Sequence, residues 1–287
     1  MEYHDLLRDV LSDAKLRDFI VRNLHESMTS LGFSQLLISE FLENITKLDL
    51  PVFIERHKDE LRKIELEHFF GELVPEYFSE YIVSEVPNGG KVLDLGCGLG
   101  TLIKLLINRG TNSEIVGIDI KQNPEWENLK KEGARFEVVQ ENDFLSFVAK
   151  EKPGIVTITW VLHHMEYDQQ KRYLQSLHEV LNAGATLIIL EDAYSQILPP
   201  ELGQNQYEDF MKLNPVERHK VVGVNDWIAN RVFSMRTAMP VPFAYRTLED
   251  WNEILKEAGF TVTKSRFLGF PDRRDVFNPQ SVLVARK

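Results

Sequence analysis

The chain has 287 residues, 43% of them hydrophobic, and its 33 basic and 44 acidic side chains give a net charge of -11. This length suits one catalytic domain with additions, able to bury its core without disulfide or metal staples, while the acidic balance disfavours nucleic acid as a partner. No stretch approaches the roughly 18 apolar residues that cross a bilayer, and the single cysteine, Cys97, cannot form an intramolecular disulfide, so we expect a soluble cytoplasmic protein without membrane contacts.

The first 86 residues carry apolar side chains at helical spacing, for example Leu37, Ile38 and Phe41. A proline and two glycines then interrupt the pattern at 87–90. We therefore predict an N-terminal helical region over 1–86 and a second domain over 87–287. The helical region has two open roles: it could cover an active site, or it could pair two subunits into a homodimer.

Beyond this break, short aliphatic runs alternate with amphipathic segments, which predicts parallel strands covered by helices on both faces. The strands are expected at 91–95, 114–118, 135–139, 155–160, 185–190, 260–267 and 281–285. The intervening helices are expected at 99–108, 125–132, 168–181 and 248–258. Because the last strand follows so closely on the one before it, it should come from a hairpin and run antiparallel. The pattern predicts an α/β fold with a doubly wound, mostly parallel seven-stranded sheet.

A stretch from about 193 to 245 departs from this alternation and is rich in proline, asparagine and aromatic residues. It is too long for a plain loop, so we predict a helical cap inserted after the fifth strand, with Asn225 capping a helix that runs through Met235. The candidate substrate contacts in the cap are Trp227, Arg231, Arg236 and Tyr245. The arginines could pair with an acidic group of a ligand, or they could lie on a solvated face of the helix. The aromatic residues could line a pocket, or they could form the core of the cap.

Residues 91–100 read KVLDLGCGLG, an apolar strand followed by three glycines and the start of a helix. Glycines let the backbone turn sharply and approach a ligand, and a helix N-terminus offers amide hydrogens. A dinucleotide fingerprint would place its third glycine at position 101, where this chain has Thr101. An NAD-dependent oxidoreductase is therefore a weaker alternative.

The segment from Asp94 to Gly100 resembles the first motif of the class I S-adenosylmethionine (SAM) dependent methyltransferases, and the order of later motifs extends the resemblance over about 91–284. The resemblance implies a Rossmann-like fold, SAM as the cofactor and S-adenosylhomocysteine (SAH) as its product. Asp119 ends the second strand, where a carboxylate accepts hydrogen bonds from ribose hydroxyls. The cofactor-binding residues expected from the resemblance are Asp94, Gly96, Cys97, Gly98, Gly100, Asp119, Ile120, Asn142, Asp143, Phe144, Trp160 and Val161.

The expected roles of four of these residues can be stated more closely. The resemblance implies an adenine pocket after the third strand with Asp143 near the amino group, but Asp143 could also cap the following helix, and both roles can hold together. Trp160 and Val161, at the end of the fourth strand, are expected near the adenosine and the sulfur. Cys97 is interpreted as a small apolar residue of the loop, and not as a nucleophile.

His163 and His164 follow the fourth strand in the sequence WVLHHM and are the candidate catalytic residues. Methyl transfer from a sulfonium is an in-line displacement, so the protein mainly supplies alignment, but an acceptor that carries a proton benefits from a general base. Adjacent residues do not easily face one acceptor, so we expect one histidine to line the pocket and the other to be structural. Without a third partner they make poor metal ligands, and no metal is expected.

Two absences narrow the reaction. In the family that the chain resembles, enzymes that act on amino groups of nucleobases or of glutamine carry an Asn/Asp-Pro-Pro-aromatic run after the fourth strand, and this chain lacks that run. It also lacks a cysteine nucleophile at that place. The leading hypothesis is a methyltransferase acting on oxygen, nitrogen or carbon of a small molecule. An RNA or protein methyltransferase and a SAM-binding regulatory protein without activity are the alternatives.

Overall fold

The computed structural model describes residues 3–45, 49–71, 73–111, 113–196, 205–269 and 278–287. The chain folds as two compact units. The first comprises Met1–Leu73, Leu198–Tyr245 and Leu268–Pro279, and the second comprises Val74–Ile197, Arg246–Phe267 and Gln280–Lys287. The cap segment thus groups with the N-terminal helices, whereas the division expected from the sequence joined it to the second domain.

The helices of the described residues are, in chain order, α1 (Tyr3–Ser12), α2 (Ala14–Ser30), α3 (Gln35–Asn44), α4 (Leu50–Phe70), α5 (Leu73–Tyr81), α6 (Thr101–Asn108), α7 (Trp126–Lys131), α8 (Phe144–Glu151), α9 (Tyr167–Val180), α10 (Asn205–Met211), α11 (Pro215–Ile228) and α12 (Leu248–Glu257). Short 3-10 turns occupy Val83–Glu85, Glu141–Asp143 and Leu162–His164, and a π-helical turn occupies Ala229–Phe233. Within the described ranges, every helix is too short or too polar to cross a membrane.

The second unit is built on an eight-stranded sheet. Its strands are β1 (Lys91–Leu95), β2 (Glu114–Asp119), β3 (Arg135–Val138), β4 (Ile155–Thr159), β5 (Thr186–Tyr194), β6 (Arg246–Thr247), β7 (Thr261–Gly269) and β8 (Gln280–Arg286). The order across the sheet is β3-β2-β1-β4-β5-β8-β7, with β6 paired to β5. The pairs among β1 to β5 are parallel, while β8 runs antiparallel to β5. The predicted fold class is confirmed, and β6 adds a strand too short to leave a pattern in the sequence.

The burial of the strands explains why their positions could be predicted from the sequence. On β5, every residue from Leu187 to Tyr194 is buried, as expected for a central strand covered on both faces. The parallel strands β1, β2, β4 and β5 bring their carboxyl ends to the same edge of the sheet. In doubly wound folds this edge forms the ligand crevice, so the predicted site residues that follow these strands are brought to one place.

The first unit combines the N-terminal helices with the cap. Helix α11 packs against α1 and α2, and α4 packs against the π-helical turn. Ion pairs join Lys15 to Glu217 at 2.9 Å and Lys220 to Asp9 at 2.8 Å, and the Phe33 and Phe233 rings lie 4.9 Å apart. One face of α1 and α2 therefore packs against α11 within the same unit.

The predicted start of the cap helix is wrong. Helix α11 begins ten positions before Asn225, at Pro215, and its N-cap is Asn214, whose side chain accepts a hydrogen bond from the N–H of Glu217. The Glu217 carboxylate bonds back to the N–H of Asn214, which completes a capping box with proline at the first helical position. Asn225 lies inside the helix and is buried. The capping box at Asn214 defines the start of the helix, so Asn225 does not act as an N-cap.

Candidate active site

The glycine loop after β1 needs glycine for steric reasons. Gly96 has φ +73°, and a Cβ placed on it would lie 2.6 Å from Cγ2 of Val161. Gly100 has φ +86° and stands at the N-cap of α6, where a Cβ would lie 2.7 Å from Cδ1 of Leu129. Both positions combine a left-handed backbone with a lack of space, so the motif is required by the fold of the loop itself.

Two side chains from outside the loop hold it in place. The N–H of Gly98 donates to Oδ2 of Asp119 at 2.9 Å, and Nε1–H of Trp126 donates to the carbonyl of Gly98 at 2.8 Å. The Trp126 ring also stacks on Phe136, with ring centroids 4.9 Å apart. The sequence predicted Asp119 beside the loop but missed Trp126. Its signal was a tryptophan at the start of the helix after β2, since a buried indole N–H usually has a partner.

Asp94 is buried on β1 and accepts a hydrogen bond from Oγ1 of Thr157 on β4 at 2.7 Å. Burial raises the pKa of Asp94 to about 7, since ionisation would place a charge away from water. The hydrogen bond from Thr157 acts against this rise, and the negative charge of Asp119 adds to it. Near neutral pH the carboxyl group can therefore act as a hydrogen-bond donor or as an acceptor.

Cys97 is also buried, and its backbone N–H donates to the carbonyl of Ile118 at 3.0 Å. Burial raises the pKa of the thiol well above its usual range, and the charges of Asp94 and Asp119 raise it further. A thiol that stays protonated at neutral pH is a poor nucleophile. The structure thus gives Cys97 a packing position in the loop.

Apolar and acidic side chains lie exposed where β2 and β3 end. Ile120 follows Asp119 and is 51% exposed, and Val138, the last residue of β3, is 49% exposed. Asn142 and Asp143 are exposed in the next turn, whereas Phe144 is buried. Asp143 stands at the N-cap position of α8, but its side chain makes no capping hydrogen bond. The segments after β2 and β3 therefore present two exposed apolar side chains and a carboxylate that is not engaged in capping. Val138 was not singled out from the sequence.

The chain leaves β4 through Trp160, which has φ +53°, a left-handed conformation uncommon for an aromatic residue. Its backbone N–H donates to the carbonyl of Leu190 at 2.8 Å, and its indole N–H donates to the side-chain oxygen of Gln280. The Trp160 ring lies 5.1 Å from that of Phe78, and the next residue, Val161, packs against Gly96. The ends of β1 and β4 are thus in contact.

The two histidines have different surroundings. His163 is buried, and its Nδ1 lies 2.5 Å from Oε2 of Glu191 on β5, which is also buried. His164 is half-buried, and its ring centroid lies 4.2 Å from that of His163. The sequence assigned Glu191 no role, because its partner stands 28 residues earlier in the chain.

The four cap candidates lie in the first unit. Trp227 is buried, and its Nε1–H has no hydrogen-bond partner among the described residues. The guanidinium of Arg231 donates to the carbonyls of Thr237 and Met239, which ties the chain after α11 to itself. The Tyr245 hydroxyl donates to Oδ2 of Asp226 at 2.6 Å, so this aromatic residue belongs to a buried polar pair. For Arg236, the backbone N–H donates to the carbonyl of Asn230 at 2.7 Å.

Comparisons with known proteins bear on the fold and the family. Three solved structures are similar to the chain at low sequence identity. The 1,6-didemethyltoxoflavin-N1-methyltransferase of Burkholderia thailandensis, crystallised with 1,6-didemethyltoxoflavin and SAH, is 18% identical over 83% of this chain and 86% of its own, with a TM-score of 0.51. A SAM-dependent methyltransferase from Archaeoglobus fulgidus is 17% identical over 79% of this chain and 99% of its own, with a TM-score of 0.49. Human N-acetylserotonin methyltransferase in complex with SAM is 15% identical over 98% of this chain and 70% of its own, with a TM-score of 0.46.

No curated protein matches the chain. A family model described as a methyltransferase domain matches residues 65–265, which is more than half of the chain. The chain therefore belongs to the methyltransferase-domain family and is a class I SAM-dependent methyltransferase, the family that its glycine motif resembles.

Proposed function

We propose that this chain transfers a methyl group from SAM to an oxygen, nitrogen or carbon atom of a small molecule, and that it does so in the cytoplasm. The observation that carries the proposal is the glycine loop, which hydrogen bonds from Trp126 and to Asp119 hold in place at the carboxyl end of β1. Backbone amides and a carboxylate at one edge of a parallel sheet are suited to a nucleoside ligand.

The residues at this edge fit the parts of SAM. The Asp119 carboxylate has about four acceptor positions, and the N–H groups of Gly98 (2.9 Å) and Lys121 (3.4 Å) use two of them, which leaves positions for ribose hydroxyls. Ile120 and Val138 offer apolar surface to a purine ring, and Asp143 offers an acceptor to its amino group. SAM supplies a methyl group whose bond to the sulfonium breaks, with the electron pair kept by sulfur, as a lone pair of the acceptor binds the carbon.

The acceptor class is inferred from charge. A net charge of -11 repels a polyphosphate backbone, which argues against nucleic acid. A methyltransferase of the same fold was crystallised with a small molecule, 1,6-didemethyltoxoflavin, which agrees with this class. An oxygen or nitrogen acceptor that carries a proton on the attacking atom also loses it, and His163 and His164 stand after β4 to take it.

Calorimetric titrations with SAM, SAH and NAD test the cofactor. We expect SAM and SAH to bind and NAD not to bind. Asp119→Ala should weaken SAM binding about 10- to 100-fold, since hydrogen bonds to a charged group contribute about 1.5–3 kcal/mol each. The matched control is Glu132→Ala, which removes an exposed carboxylate just after α7 and should leave the affinity unchanged. Binding of NAD alone, or equal SAM affinity in the Asp119 variant, would overturn the cofactor assignment.

A labelling experiment tests the acceptor. The protein is incubated with SAM that carries a deuterated methyl group, together with separate metabolite, RNA and protein fractions of a cell extract. Mass spectrometry should find the label in a small molecule of the metabolite fraction. Label confined to RNA or protein would contradict the proposed acceptor class while leaving the cofactor assignment intact.

A further inference from the structure

The side chain of Trp160 extends across the sheet, away from the glycine loop. Its Nε1–H donates to the side-chain oxygen of Gln280, which stands on β8. In the order β1-β4-β5-β8, this strand lies two places from β4 on the side opposite β1. The next residue, Val161, instead packs against Gly96 in the loop after β1. Two neighbouring side chains at the end of β4 therefore extend to opposite sides of that strand.

A pair of buried side chains holds the indole in place. Gln280 has no exposed surface, and its amide NH₂ group donates to Oδ1 of Asp192, which is also buried. The two residues stand directly opposite each other in the antiparallel pair of β8 and β5. An ionised carboxylate only accepts hydrogen bonds, so the NH₂ group of Gln280 must face Asp192 and its oxygen must face the indole. The position of the Trp160 ring is therefore set by the pairing of two strands.

The backbone of Trp160 is strained as well. Its φ of +53° is an outlier for a bulky aromatic residue. The backbone N–H donates to the carbonyl of Leu190 at 2.8 Å, and the Phe78 ring lies 5.1 Å from the indole ring. Strain of this kind persists only where the surroundings enforce it, and it is concentrated at sites that bind ligands. The outlier therefore marks Trp160 as a functional position at the ligand edge of the sheet.

Exposure separates Trp160 from the other three tryptophans of the chain. Trp126, Trp227 and Trp251 are at most 5% exposed, whereas Trp160 is half-buried. The indole N–H of Trp160 is already bonded to Gln280, so the surface that this side chain offers to a ligand is aromatic and apolar. Aromatic surface of this kind pairs with other rings in offset-stacked or edge-to-face arrangements. A fixed and partly open indole at this edge is thus suited to a planar ring.

We propose that Trp160 is the platform on which an aromatic ring of the methyl acceptor stacks, with Gln280 as the residue that positions the platform. The inference rests on the proposed function and names its substrate class, small molecules that carry a planar aromatic ring. Two rigid rings lose little conformational entropy when they pair, so the platform favours planar acceptors over flexible aliphatic ones of similar size. The donor is held on the other side of β4, at the glycine loop.

The test uses the full chain saturated with SAH and labelled with nitrogen-15. Proton–nitrogen NMR spectra show the indole N–H signals, and the one missing in Trp160→Phe belongs to Trp160. The probes are phenol and cyclohexanol, two ring alcohols of similar size. We expect phenol to shift the Trp160 signal and to bind about fivefold more tightly than cyclohexanol. Trp160→Leu should lose this preference.

The matched control is Phe147→Leu, which should keep the preference for phenol. It also replaces a half-buried aromatic residue of the second unit by leucine. The Phe147 ring lies 5.9 Å from the guanidinium of Arg135, the first residue of β3, and hence near the edge of the sheet opposite the glycine loop. Loss of the preference in this control as well would assign it to general destabilisation and overturn the inference.

The other outcomes separate this inference from the proposed function. SAH binding to the wild type, measured by calorimetry, tests the cofactor assignment alone. A Trp160 signal that SAH shifts and phenol does not would place the indole at the donor and overturn the inference. Equal binding of the two alcohols to the wild type would do the same, even if no variant folds.

The acceptor found by methyl labelling gives a second, independent readout. We expect the labelled product to carry an aromatic ring, and a labelled product without one would overturn the inference while leaving methyl transfer to a small molecule intact. Trp160→Leu should lower kcat/KM for this acceptor about 5- to 100-fold and leave the affinity for SAH unchanged. A kcat/KM equal to that of Phe147→Leu would contradict the role of the platform.

Discussion

Replacing Asp94 with asparagine should remove a defined part of the pH dependence of stability. Burial raises the pKa of this carboxyl group from 3.8 to about 7 in the folded chain. Below about pH 4 it holds its proton in both the folded and the unfolded state. Between about pH 4 and pH 7 the unfolded chain ionises while the folded chain keeps the proton, so the free energy of unfolding falls as pH rises. Above pH 7 both states are ionised and the loss is complete.

The size of the effect follows from the two pKa values. A difference of about three pKa units corresponds to about 4 kcal/mol, of which about 3 kcal/mol falls between pH 5 and pH 9. Asparagine has nearly the same shape, and its carbonyl oxygen can still accept the hydrogen bond that Thr157 donates at 2.7 Å. The variant keeps this contact and loses the titration. Relative to the wild type, Asp94→Asn should therefore gain about 3 kcal/mol of stability from pH 5 to pH 9.

Urea unfolding followed by circular dichroism, at pH 5, 7 and 9 and constant ionic strength, measures this difference. Contributions from other titrating groups cancel when the two proteins are compared at each pH. Thr157→Val is a useful second variant because it removes the hydrogen bond that lowers the pKa of Asp94, so its stability should continue to fall to a higher pH than that of the wild type. Parallel curves for the wild type and Asp94→Asn would refute the reasoning.

Two further predictions concern the glycine loop. Trp126→Phe keeps the ring stacking but removes the hydrogen bond to the loop carbonyl, so it should cost about 1 kcal/mol of stability and weaken SAH binding; unchanged SAH affinity in calorimetry would argue against a role for the indole N–H. Gly96→Ala should cost about 1–2 kcal/mol for the left-handed backbone alone and more for the contact with Val161, measured by urea unfolding, and a Val161→Ala background should recover only the second part.

The strands and the loop residues could be predicted because local patterns in the sequence encode them. The aliphatic runs of the strands gave the sheet, because strands covered on both faces must be apolar. Asp94, Gly96 and Asp119 could be placed together before the structure was known, because parallel strands end at one edge. The start of α11 was misplaced at Asn225, where an asparagine inside a helix resembled a cap. Competing caps are difficult to rank from sequence when both precede apolar residues at helical spacing.

What the sequence could not reveal were contacts between distant side chains. Thr157 stands 63 residues from Asp94, and Trp126 stands 28 residues from the loop carbonyl that it binds. Each of these residue types has many possible partners, and only the register of the strands selects one. For β1 and β4 this register sets Asp94 directly beside Thr157. The side chains that bond to the site residues therefore depend on how the strands pair. The glycine motif that predicts the site, in contrast, is continuous in the sequence.

The acidic groups of the second unit explain how such a site could favour a cationic methyl donor. Asp94 and Asp119 lie close enough for the charge of Asp119 to raise the pKa of Asp94, which means that two negative charges at the loop are unfavourable in the protein alone. A ligand that brings positive charge to the loop relieves this repulsion and stabilises the ionised form of Asp94. The oxygens of Glu191 are instead engaged by two amides and an imidazole. One pair of carboxyl groups at the loop is thus suited to respond to the charge of the donor, while a third carboxyl group holds the turn after β4 in place.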